Sequence, residues 1–188
     1  MVNPNLPNFL TILRIIMSFF VVYFLLQNSL SSRIIALIFF SLASLTDFFD
    51  GYIARKYNLI TKFGKIADPT ADKILTIASF ITFAILNLFS FIWLIPIIIR
   101  ELWVTIYRIK DYINDTNDHV AAKMSGKIKT VTQIITIIVM FFTLILRDHY
   151  NYIILENLMI IIMYCLLLLT VILTIYSGFS FLIKKGAK

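Results

Sequence analysis

Four carboxylates stand where an apolar chain should not have them. Asp47 and Asp50 lie three apart at the end of the apolar run 34–46, and Asp68 and Asp72 lie four apart at the head of the next. On a helix these spacings put each pair on one face. A short basic segment around Arg55 to Lys65 joins the two runs, so the helices are expected to be antiparallel neighbours with both pairs at similar depth. Four facing carboxylates cannot all stay ionised without compensation. Divalent cations would supply it, and oxygen-only ligands without His or Cys favour a hard ion, Mg²⁺ or Mn²⁺. Helix–helix ion pairing with Arg55, Lys65 and Lys73 is the arrangement that spacing alone leaves open.

Small residues accompany the carboxylates. Gly51 and Ala54 share the helix face of Asp47 and Asp50, and Gly64 precedes Asp68 by four. They leave room for a flat ligand to approach the backbone, and they also suit close helix packing. The whole pattern, Asp47-x2-Asp50-Gly51-x2-Ala54-Arg55-x8-Gly64-x3-Asp68-x3-Asp72, resembles the signature of the CDP-alcohol phosphotransferases at all eight positions and every interval. That resemblance implies an all-α, polytopic membrane protein with six transmembrane helices, working as a homodimer around a polar cavity at the cytoplasmic face. It implies two divalent cations held by Asp47, Asp50, Asp68 and Asp72, with Asp72 doubling as general base. It implies a CDP site lined by Gly51, Ala54, Arg55 and Gly64.

The chemistry of such a transfer is attack by an alcohol on the lipid-bearing phosphorus of a pyrophosphate diester, expelling CMP. The pyrophosphate charge must be neutralised, the phosphorus made electrophilic, and a proton taken from a weak nucleophile. Two metal ions serve the first two needs, and a carboxylate at their edge serves the third. Arg55 is placed to hold a phosphate oxygen, or else snorkels to the interface. Lys73 either joins Arg55 there or serves as the counter-charge of Asp72.

Basic residues also collect around the fourth and fifth apolar runs, at Arg100, Arg108, Lys127 and Lys129. Arg100 interrupts an isoleucine run and is followed by Glu101, a poor partner by helix geometry because neighbouring positions do not face each other. A cationic pocket beside a carboxylate cluster suits an acceptor that itself carries phosphate; for Lys127 and Lys129 ordinary loop charge is the alternative. Three short segments resemble the bacterial phosphatidylglycerophosphate synthase branch of the same family: Asn5-Leu6-Pro7-Asn8-x-Leu10-Thr11-x2-Arg14, Arg100-Glu101, and Gly126-Lys127-Ile128-Lys129-Thr130-x2-Gln133. They imply CDP-diacylglycerol and glycerol 3-phosphate as substrates, with Asn8, Thr11 and Arg14 helping to hold the CDP moiety. Thr70, where that branch usually has Leu, and the acidic segment 111–118 depart from it.

The elements that must position these residues follow from composition. The 188 residues are 60% hydrophobic and 14% charged, whereas soluble chains carry about a quarter charged residues. Lipid is the solvent this implies. Six apolar stretches of spanning length lie near 9–28, 33–57, 66–88, 91–113, 121–146 and 153–183, with a turn at 87–90 and Pro96 breaking or kinking the helix after it. Of the 17 Lys and Arg residues, twelve fall on one side, two on the other and three within spans. The positive-inside rule then sets the termini and the aspartates in the cytoplasm of a multi-pass cell-membrane protein. The net charge of +7 is read as this asymmetry and attraction to anionic membrane lipid, with no nucleic-acid partner. The first apolar stretch lacks a signal-peptide cleavage pattern and is expected to be retained as a span.

Residues 1–188 read as a single transmembrane catalytic domain without repeats or linkers. Cys165, in an apolar run, reads as a buried packing thiol, and His119 and His149 carry no motif. Two other functions remain on sequence grounds. One is a family member with another acceptor, such as inositol phosphate or phosphatidylglycerol (the cardiolipin synthase reaction). The other is a divalent-metal transporter, whose ligands would sit near the midplane on broken helices.

Overall fold

The structure is a computed structural model. It describes residues 6–56, 62–113, 124–149 and 153–186, with side chains described outside 6–8, 47–56, 62–69, 108, 111–113, 124–125 and 181–186. Among the described residues every regular element is helical: α1 (Leu6–Leu26), α2 (Leu30–Lys56), α3 (Lys62–Ile85), α4 (Leu94–Ile113), α5 (Met124–His149) and α6 (Ile153–Gly186). A long apolar chain folds this way because a helix satisfies its backbone polar groups internally, which lipid cannot do for it.

Punctuation between helices is local. Ser29 caps α2 by accepting the Ser32 N–H at 3.1 Å, filling one of the vacant donors of the first turn. After α3 the chain turns at Asn87, whose φ of 55° is left-handed, a conformation Asn tolerates better than most residues. A 3-10 turn, Phe91–Trp93, leads into α4. The expected turn at 87–90 is therefore present. Pro96, expected to break or kink the helix, instead occupies the third position of α4, where no preceding helical carbonyl awaits its missing N–H.

The chain forms two compact units, Met1–Leu86 and Asn87–Lys188. In the first, α1 packs against both α2 and α3. Val21, Leu25, Phe40, Leu75, Phe80 and Phe83 are buried there, and Phe39 stacks on Phe20 and Phe24 with ring centroids 5.4 and 5.9 Å away. In the second, α6 packs against α5 and α4. Ile97, Ile137, Met140, Phe141, Leu144 and Leu167 are buried. The Thr136 and Thr170 hydroxyls meet across α5 and α6 at 2.8 Å, the kind of interhelical hydrogen bond that joins helices when lipid offers no hydrophobic gain.

Large apolar side chains such as Phe19, Ile92, Ile154 and Phe179 face outward, which a water-soluble surface would not sustain over so many positions. Three helical segments are long and apolar enough to cross a bilayer, Phe9–Leu26, Gly126–His149 and Ile153–Ser180, and Leu30–Thr46 is a shorter apolar one. Cys165 is exposed rather than buried: α6 is apolar on all sides, so its sequence alone does not reveal which face packs.

Candidate active site

The four aspartates occupy two helices of one unit. Asp47 and Asp50 lie on the last turns of α2, together with Gly51, Ala54 and Arg55; Gly64, Asp68 and Asp72 lie on α3. The helical backbone keeps the three- and four-residue intervals that put each pair on one face. Of these residues the side chain of Asp72 is described; those of Asp47, Asp50, Gly51, Ala54, Arg55, Gly64 and Asp68 lie outside the described ones, as does that of Asn8.

Asp72 is partly buried, with 19% of its side chain exposed, and its Oδ2 accepts the Lys73 ammonium at 2.8 Å. Lys73 thus forms an ion pair with Asp72, which leaves both roles open to it. On α1, Thr11, Arg14 and Ser18 are buried, at intervals of three and four that align them on one face. Because α1 packs against both α2 and α3, this polar face belongs to the helix that touches both aspartate-bearing helices. Burying an arginine so completely is costly enough to count as functional by default.

A second polar centre lies in the other unit, where α4, α5 and α6 each contribute. Glu101, 1% exposed, accepts from Lys129 through Oε1, from Gln133 Nε2 at 3.2 Å through the same oxygen, and from Arg100 Nη1 at 3.3 Å through Oε2. The Arg100 Nη2 also donates to Ser177 Oγ at 2.7 Å. Gly178 makes room for this, since a Cβ there would stand 3.3 Å from Arg100 Cγ.

Residues 4–176 match the profile of the family described as CDP-alcohol phosphatidyltransferase. The chain belongs to that family. Three relatives bear the name CDP-diacylglycerol–glycerol-3-phosphate 3-phosphatidyltransferase. The Rickettsia prowazekii protein is 57% identical over 75 residues, a match spanning 39% of this chain and 41% of that protein's length. The Bacillus subtilis protein is 39% identical over 145 residues, covering 71% of this chain and 74% of its own. The Haemophilus influenzae protein is 33% identical over 187 residues, covering 97% and 95%.

For a CDP-alcohol phosphatidyltransferase the donor set fits hard divalent cations, since the four carboxylates offer only oxygen. Asp72 keeps 19% of its side chain exposed and pairs with Lys73 among the described residues. Among the described residues no three His, Cys, Asp or Glu side chains come together, and of the four aspartates only Asp72 is among them.

Of the four cations expected to bind an acceptor phosphate, the described side chains of two meet at one carboxylate. Arg100 and Lys129 come together on Glu101, whereas Lys127 is exposed, about 200° round α5 from Lys129 at 100° per residue. The Arg108 side chain lies outside the described ones. The expectation that Arg100 and Glu101 are poorly placed to pair is corrected: both side chains are long enough to bend towards each other, and burial rewards it. Ser177 and Gly178 were missed altogether. Their signal was two small residues, one polar, in the apolar run of α6.

Proposed function

We propose that this chain transfers a phosphatidyl group from CDP-diacylglycerol to glycerol 3-phosphate, giving phosphatidylglycerophosphate and CMP. The near full-length likeness to the Haemophilus influenzae protein of that name carries the reading. The eight-position aspartate signature supports its donor half and the Arg100–Lys129 pair its acceptor half.

Asp47, Asp50, Asp68 and Asp72 hold two divalent cations, Mg²⁺ or Mn²⁺, which when bound neutralise the pyrophosphate and polarise its phosphorus. Asn8, Thr11, Arg14, Gly51, Ala54, Arg55, Gly64 and Lys73 receive the CDP moiety, with the arginines paired to phosphate oxygens. Arg100 and Lys129 hold the acceptor phosphate, with Arg108 and Lys127 at its approach. Asp72 takes the proton of the attacking hydroxyl. A bond forms from that oxygen to the lipid-bearing phosphorus, and the bond to the bridging oxygen breaks with CMP leaving.

All six helices cross the bilayer in this proposal, as one catalytic domain in a homodimer. The basic segments and both termini face the cytoplasm of the cell membrane, so the acyl chains stay in lipid while soluble glycerol 3-phosphate arrives from water. The test is CMP release by purified protein given CDP-diacylglycerol, Mg²⁺ and a panel of acceptors: glycerol 3-phosphate, glycerol, inositol phosphate, phosphatidylglycerol and choline. Glycerol 3-phosphate should support release, and excess chelator should stop it reversibly. Release with choline or phosphatidylglycerol but not glycerol 3-phosphate would overturn the reading.

A further inference from the structure

Helix α2 carries a buried stripe at Arg33, Ala36, Phe40 and Ala43, whose intervals of three and four keep it on one face. The next step of four residues along the same helix is Asp47. Ser44 borders the stripe, three positions before Asp47. The residue is partly exposed, but its Oγ is buried and has no hydrogen-bond partner. Among the described residues it is the one buried hydroxyl in that state.

Other hydroxyls of this unit behave differently. Ser18, Ser41, Thr46, Thr76, Ser79 and Thr82 each donate to a carbonyl three or four residues earlier on their own helix. That bond is open to any helical serine, and a buried polar group left unmade carries a desolvation penalty. Native structures keep few such groups without a reason. Alanine, nearly the same size, would fill the position without the penalty. A hydroxyl that forgoes its own helix is one held for another acceptor.

Helix geometry limits which acceptor that is. Side chains lean towards the helix N-terminus, so a given turn is covered by residues three and four positions later. For Ser44 those are Asp47 and Phe48, and only the aspartate has a side-chain acceptor. An ionised carboxylate has about four lone-pair sites, more than a cation uses. Carboxylates that ligate a metal are themselves hydrogen-bonded, and those outer partners tune the metal's affinity.

We propose that Ser44 is a positioning residue that donates to the Asp47 carboxylate when a divalent cation is bound, fixing its orientation towards that ion. The inference rests on the proposed metal role of the four aspartates. It adds the group behind one of them, which the eight-position signature does not contain.

The experiment measures Mn²⁺ binding by the purified full chain in detergent, from the paramagnetic resonance of the free ion, together with the unfolding midpoint in the absence of metal. Ser44→Ala should weaken Mn²⁺ binding by roughly tenfold or more, the effect of losing such an outer hydrogen bond. Its metal-free midpoint should stay at or above wild type, because an unpaired polar group has been removed. Ser44→Thr, which keeps the hydroxyl, should bind Mn²⁺ nearly as the wild type does. A merely structural role would not weaken metal binding while sparing metal-free stability. Wild-type affinity in Ser44→Ala overturns the proposal. So does a lowered metal-free midpoint, which would mean that the hydroxyl is already bonded within the helices. If the wild type binds no Mn²⁺, or binds it equally well after Asp47→Asn, the metal reading of the aspartates falls as well. If binding is lost in Asp47→Asn but intact in Ser44→Ala, only the Ser44 inference falls.

Discussion

Asp72 and Glu101 bear the same functional group in opposite settings. The Asp72 carboxylate is 19% exposed and meets one lysine, its sequence neighbour, among the described residues. The Glu101 carboxylate is 1% exposed and gathers Arg100, Lys129 and Gln133 from two helices. A carboxylate with few partners has capacity left for a cation or a proton from outside. One saturated by its own chain has none, and its energy is spent on holding neighbours in place. The two regions should therefore fail differently.

The largest effect should come from Asp72→Asn. As general base the group contributes about 10²–10⁴-fold to turnover, and the amide cannot take the proton. Because the Asp72 side chain makes one described contact, the variant should keep its thermal midpoint in detergent, and its binding of CDP-diacylglycerol should be weakened but measurable. Turnover at wild-type level would remove Asp72 as the base. A collapse of stability instead would place it with Glu101 as a structural group.

Glu101→Gln should reverse that pattern. Removing one partner of a buried ion pair destabilises by about 3–5 kcal/mol, and Glu101→Gln takes its charge from both Lys129 and Arg100; the loss is read as a lowered unfolding midpoint. Adding Lys129→Met should restore much of that stability, since a buried pair exchanged for apolar packing is often neutral. It should not restore acceptor binding. A Glu101→Gln protein as stable as wild type would show that the cluster is wetter than its burial indicates.

This contrast also separates what the sequence displays from what it hides. The six helices and the turn at Asn87 are legible because lipid leaves the backbone one option and because turn residues act locally. The aspartate intervals are legible because helical register is a property of spacing. What packing decides is not. Arg100 and Glu101 looked mismatched as neighbours, and only the approach of α5 and α6 turns both side chains to one place. Spacing alone does not place Pro96 relative to the helix start, where it is tolerated, and an α6 that is apolar on every face does not show which side Cys165 takes. Ser177 and Gly178 mean little until Arg100 is known to cross them.

Arg100→Ala should have a smaller effect, confined to the acceptor. Loss of a charge-assisted hydrogen bond costs about 1.5–3 kcal/mol, so the KM for glycerol 3-phosphate should rise by roughly tenfold or more. The KM for CDP-diacylglycerol should hardly move. Glu101 keeps Lys129 and Gln133 as donors, which is why the variant should fold where Glu101→Gln is impaired. Equal rises in both KM values would mean that Arg100 supports the site as a whole rather than the acceptor.

Gly178→Ala should produce the smallest change, and its direction depends on two opposed terms. Alanine is favoured over glycine in a helix by about 0.8–1.0 kcal/mol, which raises stability. The added methyl would stand 3.3 Å from Arg100 Cγ, close enough that the stem must give by a few tenths of an ångström. That stem is a flexible chain, so the protein should fold with an unfolding midpoint at or slightly above wild type. The guanidinium, however, reaches Ser177 at 2.7 Å and Glu101 at 3.3 Å, and shifting the stem loosens both bonds without breaking either. The KM for glycerol 3-phosphate should therefore rise only about two- to threefold, well short of the loss of a full charge-assisted bond. A rise matching that of Arg100→Ala would mean that the arginine has one usable path over α6 and that the glycine defines it. No change in KM beside a raised midpoint would mean that the guanidinium is held by its partners alone, whatever course its stem takes.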